Sequence, residues 1–165
     1  MKPDPSLPGT EELEARMRPG KLSQGGFLGV NEKLNEVLSH DGEILSALGL
    51  TYKELADQLE RLIQAGVATR GRPSHVDNRF EVQVTMYNGF QLCPWTPNLH
   101  GGQCMAGGGV RYASLDWNIR NLQTQQQMRG PGMIVHLIKE HHFFEGPASP
   151  YRVDPRDLAR LLEIF

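Results

Sequence analysis

TYKELADQLERLIQAGVATRGRPSHVDNRFEVQVTM, residues 51–86, decides the fold, because the hydrophobic period changes inside it. Leu55, Leu59, Leu62 and Ile63 recur at i, i+4, i+7 and i+8, the stripe of an amphipathic helix. Thr51 with Glu54 forms a capping box that starts this helix, and Gly66 is expected to stop it. From Phe80 the period is two: Phe80, Val82, Val84 and Met86 alternate with Glu81, Gln83 and Thr85, as in a strand with one wet face. A helix feeding such a strand implies an antiparallel sheet covered by helices on one side, and so an α+β protein.

Upstream, residues 27–66 read as a helical segment. Asn31 is expected to cap a helix carrying Leu34, Val37, Leu38, Ile44, Leu45 and Leu48, which Gly49 breaks, giving an N-terminal helical hairpin. Residues 1–26 hold four prolines and read as a loosely ordered arm with one short helix over 11–17, capped by Thr10. Downstream, residues 67–79 are a connector bearing Arg70, Arg72 and Arg79. Residues 80–165 form the α+β domain. Its second strand carries Ala113, Leu115, Trp117 and Ile119, and a third, weak strand follows a turn at 123–126. A helix over 132–142 comes next, and Asp154-Pro155 opens a last helix whose Leu158, Leu161 and Leu162 face inward. A small antiparallel sheet of two to three strands packed by two C-terminal helices is therefore expected.

With 165 residues and a formal net charge of −2, the chain has no basic excess to neutralise a nucleic-acid backbone, so a nucleic-acid partner is not expected. No run of eighteen apolar residues and no apolar signal core occur, so the expectation is a soluble cytoplasmic protein with no membrane partner. In a reducing compartment two cysteines serve more often as ligands or buried thiols than as a bridge.

Both cysteines, Cys93 and Cys104, fall in a glycine-rich loop, residues 88–111, between the two clear strands. A loop of this length in a compact domain calls for a reason, and a bound ion supplies one by offsetting the entropy of ordering it. Three histidines, His136, His141 and His142, lie on the following helix. At 100° per residue His141 sits in the middle of the apolar stripe, while His136 lies about 140° from it, so joint ligation needs a loosened last turn. The expected shell is Zn²⁺ held by Cys93, Cys104, His136 and His141, with His142 or His100 as substitutes. Two buried free thiols beside a satisfied core histidine, in a metal-free α+β domain, remain open as the plain alternative, and a disulfide as a further one.

The order of these ligands, two cysteines and then a helical His-x4-His after strands, resembles the Cys2His2 zinc finger over residues 93–142. Ten residues separate the cysteines and thirty-one precede the first histidine, against the family's cysteine spacing of about two to four. The resemblance thus extends to the ligand arrangement alone.

Catalytic signatures are sparse. HLIKEH at 136–141 has one residue too many for the inverted metalloprotease pattern H-x-x-E-H, and neither G-x-S-x-G nor a phosphate-binding glycine loop occurs. Pro94 directly follows Cys93, so no helix N-terminus activates that thiol. The sequence supports a zinc-stabilised interaction module that binds a protein partner. The alternative is a metal-dependent hydrolase or lyase using zinc-bound water, with Glu145, Glu140 or His100 transferring protons. Trp95 is expected to shield the ion or contact a ligand and Trp117 to lie in the core, with Phe143, Phe144 and Tyr151 packed under the sheet.

Overall fold

The computed structural model describes residues 8–164. Five helices and one four-stranded antiparallel sheet are present among them: α1 Thr10–Met17, α2 Leu34–Leu48, α3 Tyr52–Ala68, β1 Ser74–Val76, β2 Phe80–Met86, β3 Leu115–Asn121, β4 Gln127–Pro131, α4 Ile134–His141 and α5 Pro155–Leu162. Helices come first, then the sheet, then helices again, so the class is α+β. The sheet order is β1-β2-β3-β4, with four strands where two to three were expected.

The extra strand, β1, lies within the 67–79 connector. It escaped notice because it is only three residues long and carries no alternating apolar pattern. Its signal is the turn: Asp77 and Asn78 both take positive φ, 56° and 51°, and the Arg79 N–H closes on the Val76 carbonyl at 3.0 Å. Two adjacent left-handed residues make the turn whose twist suits a two-residue hairpin, and Asp and Asn tolerate that conformation.

Gly66 does not end α3, which runs on to Ala68. It is buried against the sheet, where an added Cβ would fall 2.6 Å from Val84 Cγ2 and 3.0 Å from Val82 Cγ1. The residue is small so that helix and strand can approach closely. Two other caps also differ from expectation. Lys33 rather than Asn31 precedes α2, and Gly9 rather than Thr10 precedes α1, neither with a side-chain cap. Thr51 does accept the Glu54 N–H at 3.1 Å, and Asp154 accepts from Arg156 N and Asp157 N ahead of Pro155.

One face of the sheet carries Phe80, Val82, Val84, Leu115, Trp117 and Ile119, all buried, with α3 and α5 packed against the sheet. The other face presents Glu81, Gln83, Thr85, Asp116, Asn118 and Arg120. Trp117 is core, and its Nε1–H donates to the Pro131 carbonyl at 2.9 Å. The buried Asn121 side chain donates to Leu161 O and accepts from Gln123 N and Thr124 N, tying the β3–β4 turn to α5. Leu13 and Met17 of α1 are buried too, and Met17 O accepts from Phe27 N and Leu28 N. Phe143 and Phe144 are fully buried, whereas Tyr151 remains 45% exposed.

Candidate metal centre

The loop over residues 88–111 leaves β2, folds over the C-terminal half of α4 and returns to β3. Its cysteines meet two histidines there. One donor atom from each of Cys93, Cys104, His136 and His141 lies within 4.8 Å of every other, so the cluster can hold a metal ion. Cys104 Sγ and His141 Nε2 are 3.5 Å apart. Bond lengths of about 2.0–2.3 Å to zinc imply tetrahedron edges of about 3.3–3.8 Å, so this edge already has the right length.

How two histidines roughly 140° apart on a helical wheel converge is visible at the end of α4. The helix loosens as it ends: the His142 N–H makes the ordinary bond to Ile138 O at 3.1 Å but also turns to Leu137 O, five residues back, and the Phe143 N–H reaches six residues back to Leu137 O at 3.0 Å. His142 then takes a left-handed φ of 57° and ends the helix. The His136 and His141 rings approach edge to face, 5.0 Å between centroids.

The side chains of the cluster are held from outside it. His136 Nε2 is buried without a hydrogen-bond partner, while a backbone hydrogen bond with Gly109 engages the ring. An orphan imidazole nitrogen facing three other donors is the group an ion would satisfy. Trp95 stacks on His141 at 4.2 Å with rings nearly parallel, and covers it from solvent. Both cysteine backbones are held by one side chain that sequence reading missed. The Gln103 carboxamide oxygen accepts from Cys93 N at 2.8 Å and from Cys104 N at 3.1 Å, while its Nε2 donates to Gln91 O at 2.7 Å. Arg16 was missed as well; its Nη1 donates to Pro94 O at 2.7 Å and Thr96 O at 2.6 Å.

Burial sets the protonation states. It pushes the Cys93 thiol well above its ordinary value, with the Trp95 backbone hydrogen bond and the Arg16 charge acting the other way and neighbouring Cys104 adding to the rise. Desolvation, with His136 and His142 nearby, pushes His141 down to about 3. His136 is lowered by burial too. Both imidazoles are therefore neutral donors at neutral pH, and an ion binding here displaces thiol protons. The two cysteines are free thiols rather than a disulfide.

The other candidates lie elsewhere. His142 stacks on Tyr52, 3.9 Å between centroids, and His100 is exposed on the loop. Glu145 is 1% exposed and accepts from Ser149 Oγ at 3.0 Å; its neighbours Ser149 and Arg152 are not ligands. Glu140 does border the cluster, since it shares with His136 the wall of a cleft of about 80 Å³. No helix among the described residues is long and apolar enough to cross a membrane. Compared with protein-family models, curated proteins and solved structures, the chain matches none.

Proposed function

We propose that Cys93, Cys104, His136 and His141 bind one Zn²⁺ as a structural centre, and that the ion orders the residue 88–111 loop so that the protein acts as a binding module for a protein partner. The observation that carries this reading is the convergence of four donor side chains, three of them buried, one of which, His136, keeps a buried ring nitrogen with no hydrogen-bond partner. Two sulfurs and two nitrogens suit tetrahedral zinc, and a shell of four protein ligands leaves no position for substrate.

Two observations support a binding rather than a catalytic role. The cleft that reaches the cluster, about 80 Å³, is far smaller than the roughly 300–1,000 Å³ of small-molecule sites. The loop also holds large apolar side chains in solvent: Phe90 is 66% exposed and Met105 70%, and Phe90 shares a groove with Met86, the last residue of β2. Apolar groups gathered on one ordered surface mark contact sites.

The hydrolase or lyase reading has one observation in its favour, the shared cleft wall of His136 and Glu140. Elemental analysis of the purified protein and of Cys104→Ser tests the centre, and cobalt substitution reports its geometry. One equivalent of zinc with a tetrahedral cobalt spectrum, both lost in Cys104→Ser, supports the proposal. A five-coordinate spectrum that responds to added anions favours the catalytic reading. Absence of stoichiometric metal in protein refolded with zinc overturns both.

A further inference from the structure

Arg16 stands out among the groups that the metal reading leaves unexplained. It is a guanidinium with only 8% exposure, carried by α1 and directed into the metal loop. One nitrogen, Nη1, donates to both Pro94 O and Thr96 O, residues 78 and 80 positions further along the chain. Nη2 is held by Glu12 one helical turn earlier, at 2.8 Å. Buried charge-assisted hydrogen bonds of this kind are strong, and leaving them unmade is costly.

The two carbonyls belong to one turn. Thr96 N–H closes on Cys93 O at 3.0 Å, so Cys93, Pro94, Trp95 and Thr96 form a unit. Its first residue is a metal ligand, and its third stacks on another ligand, His141. An ion that draws Cys93 and His141 together fixes this turn. The turn, once fixed, points both carbonyls at a single place, and Arg16 fills it. When the turn opens the carbonyls diverge, and one nitrogen cannot reach both.

Apart from Arg16, α1 is anchored mainly to its own neighbourhood. Leu34 N donates to Glu14 at 3.0 Å, and Arg18 donates to Gly29 O and Glu32 O, each at 2.6 Å. Arg16 thus makes the polar link between this segment and the metal loop. Resting on the metal reading, we infer that Arg16 is a positioning residue of the centre, through which ion binding and the docking of α1 strengthen one another. Linkage makes the coupling reciprocal: what the ion does for α1, α1 does for the ion.

Zinc affinity by chelator competition, together with hydrogen exchange of the α1 amides with and without zinc, tests this on the full chain. Arg16→Met keeps the apolar stem and removes the donors. It is expected to bind zinc about 10–100-fold more weakly, as loss of an outer-shell partner does, and Arg16→Lys should recover part of the loss. In the wild type, amides of residues 10–17 should exchange faster in the apo form. Unchanged zinc affinity in Arg16→Met, or α1 exchange indifferent to zinc in the wild type, overturns the inference while the metal centre stands. The exchange measurement needs no variant, so a variant that fails to fold does not shield the idea. A wild-type protein that binds no zinc sinks both.

Discussion

Cys104 Sγ stands 3.5 Å from His141 Nε2, although thirty-six residues separate them in the chain. The contact joins the end of the residue 88–111 loop to the end of α4, and it distinguishes His141 from its neighbour. On the proposed reading, the wild type binds one equivalent of zinc and His141→Ala should not. His142→Ala should keep it, because His142 lies against Tyr52 instead. Metal stoichiometry of the two variants checks this.

Gln103 clips both cysteine backbones with one oxygen. Gln103→Ala frees two N–H groups beside the two sulfurs and lets the loop widen, so on the proposed reading zinc affinity should fall about 10–100-fold. Chelator competition measures it.

Gly66→Val puts methyl groups where β2 already lies, since even a Cβ would stand 2.6 Å from Val84 Cγ2. Overpacking of this kind costs about 1–3 kcal/mol. Urea denaturation should show that loss, whereas an exposed α3 position such as Gln64 should accept valine with a far smaller one.

Arg152 donates to both oxygens of Asp41, with Nη2 to Oδ1 at 2.8 Å, and its Nη1 also reaches Glu145 O at 2.7 Å. Asp41 is almost fully buried. Asp41→Ala leaves the largely buried guanidinium with only its longer pairing to Asp154, at 3.6 Å, and should lower stability by about 3–5 kcal/mol. The double variant Asp41→Leu with Arg152→Met should recover most of it, which a denaturation cycle over the four proteins tests.

Glu145 gives a pH dependence of definite sign. Burial raises its carboxyl well above 4.5, with the Ser149 hydrogen bond and the Arg152 charge opposing the rise. The folded state then holds a proton that the unfolded state has released. Its contribution to stability is complete below about pH 4.5 and declines as pH rises toward the folded value. Glu145→Gln removes this decline, so its stability relative to wild type should improve between pH 5 and pH 8, by at most about 1.4 kcal/mol per pH unit. A relative stability that does not change with pH would contradict the buried neutral acid.

Elements with a repeating apolar pattern or a local cap were legible in the sequence. α3 announced itself through Thr51 and its leucine stripe, β2 and β3 through alternation, and α5 through Asp154-Pro155. Where one residue serves two purposes, reading failed. Gly66 is a common helix terminator, yet here it is the point of closest approach to a strand, a fact about three dimensions. β1 was hidden because three residues cannot display a period. That Cys93, Cys104, His136 and His141 come together could be expected from their chemistry, two thiols and two imidazoles, although the helical spacing of the histidines argued against it. Their supports could not. Gln103 acts through its side chain on backbone ten residues away, and Arg16 on backbone about eighty residues away. Such contacts leave no pattern along the chain.

The sulfurs lie between β2 and β3, and the imidazoles come only after β4. During synthesis on a ribosome the chain therefore presents a half-built thiol pair long before His141 has emerged from the exit tunnel. Only once the β3–β4 hairpin and α4 are made can the full set close on an ion. An ion held by these four residues would therefore load late in the life of the nascent chain, after every strand of the sheet has been synthesised.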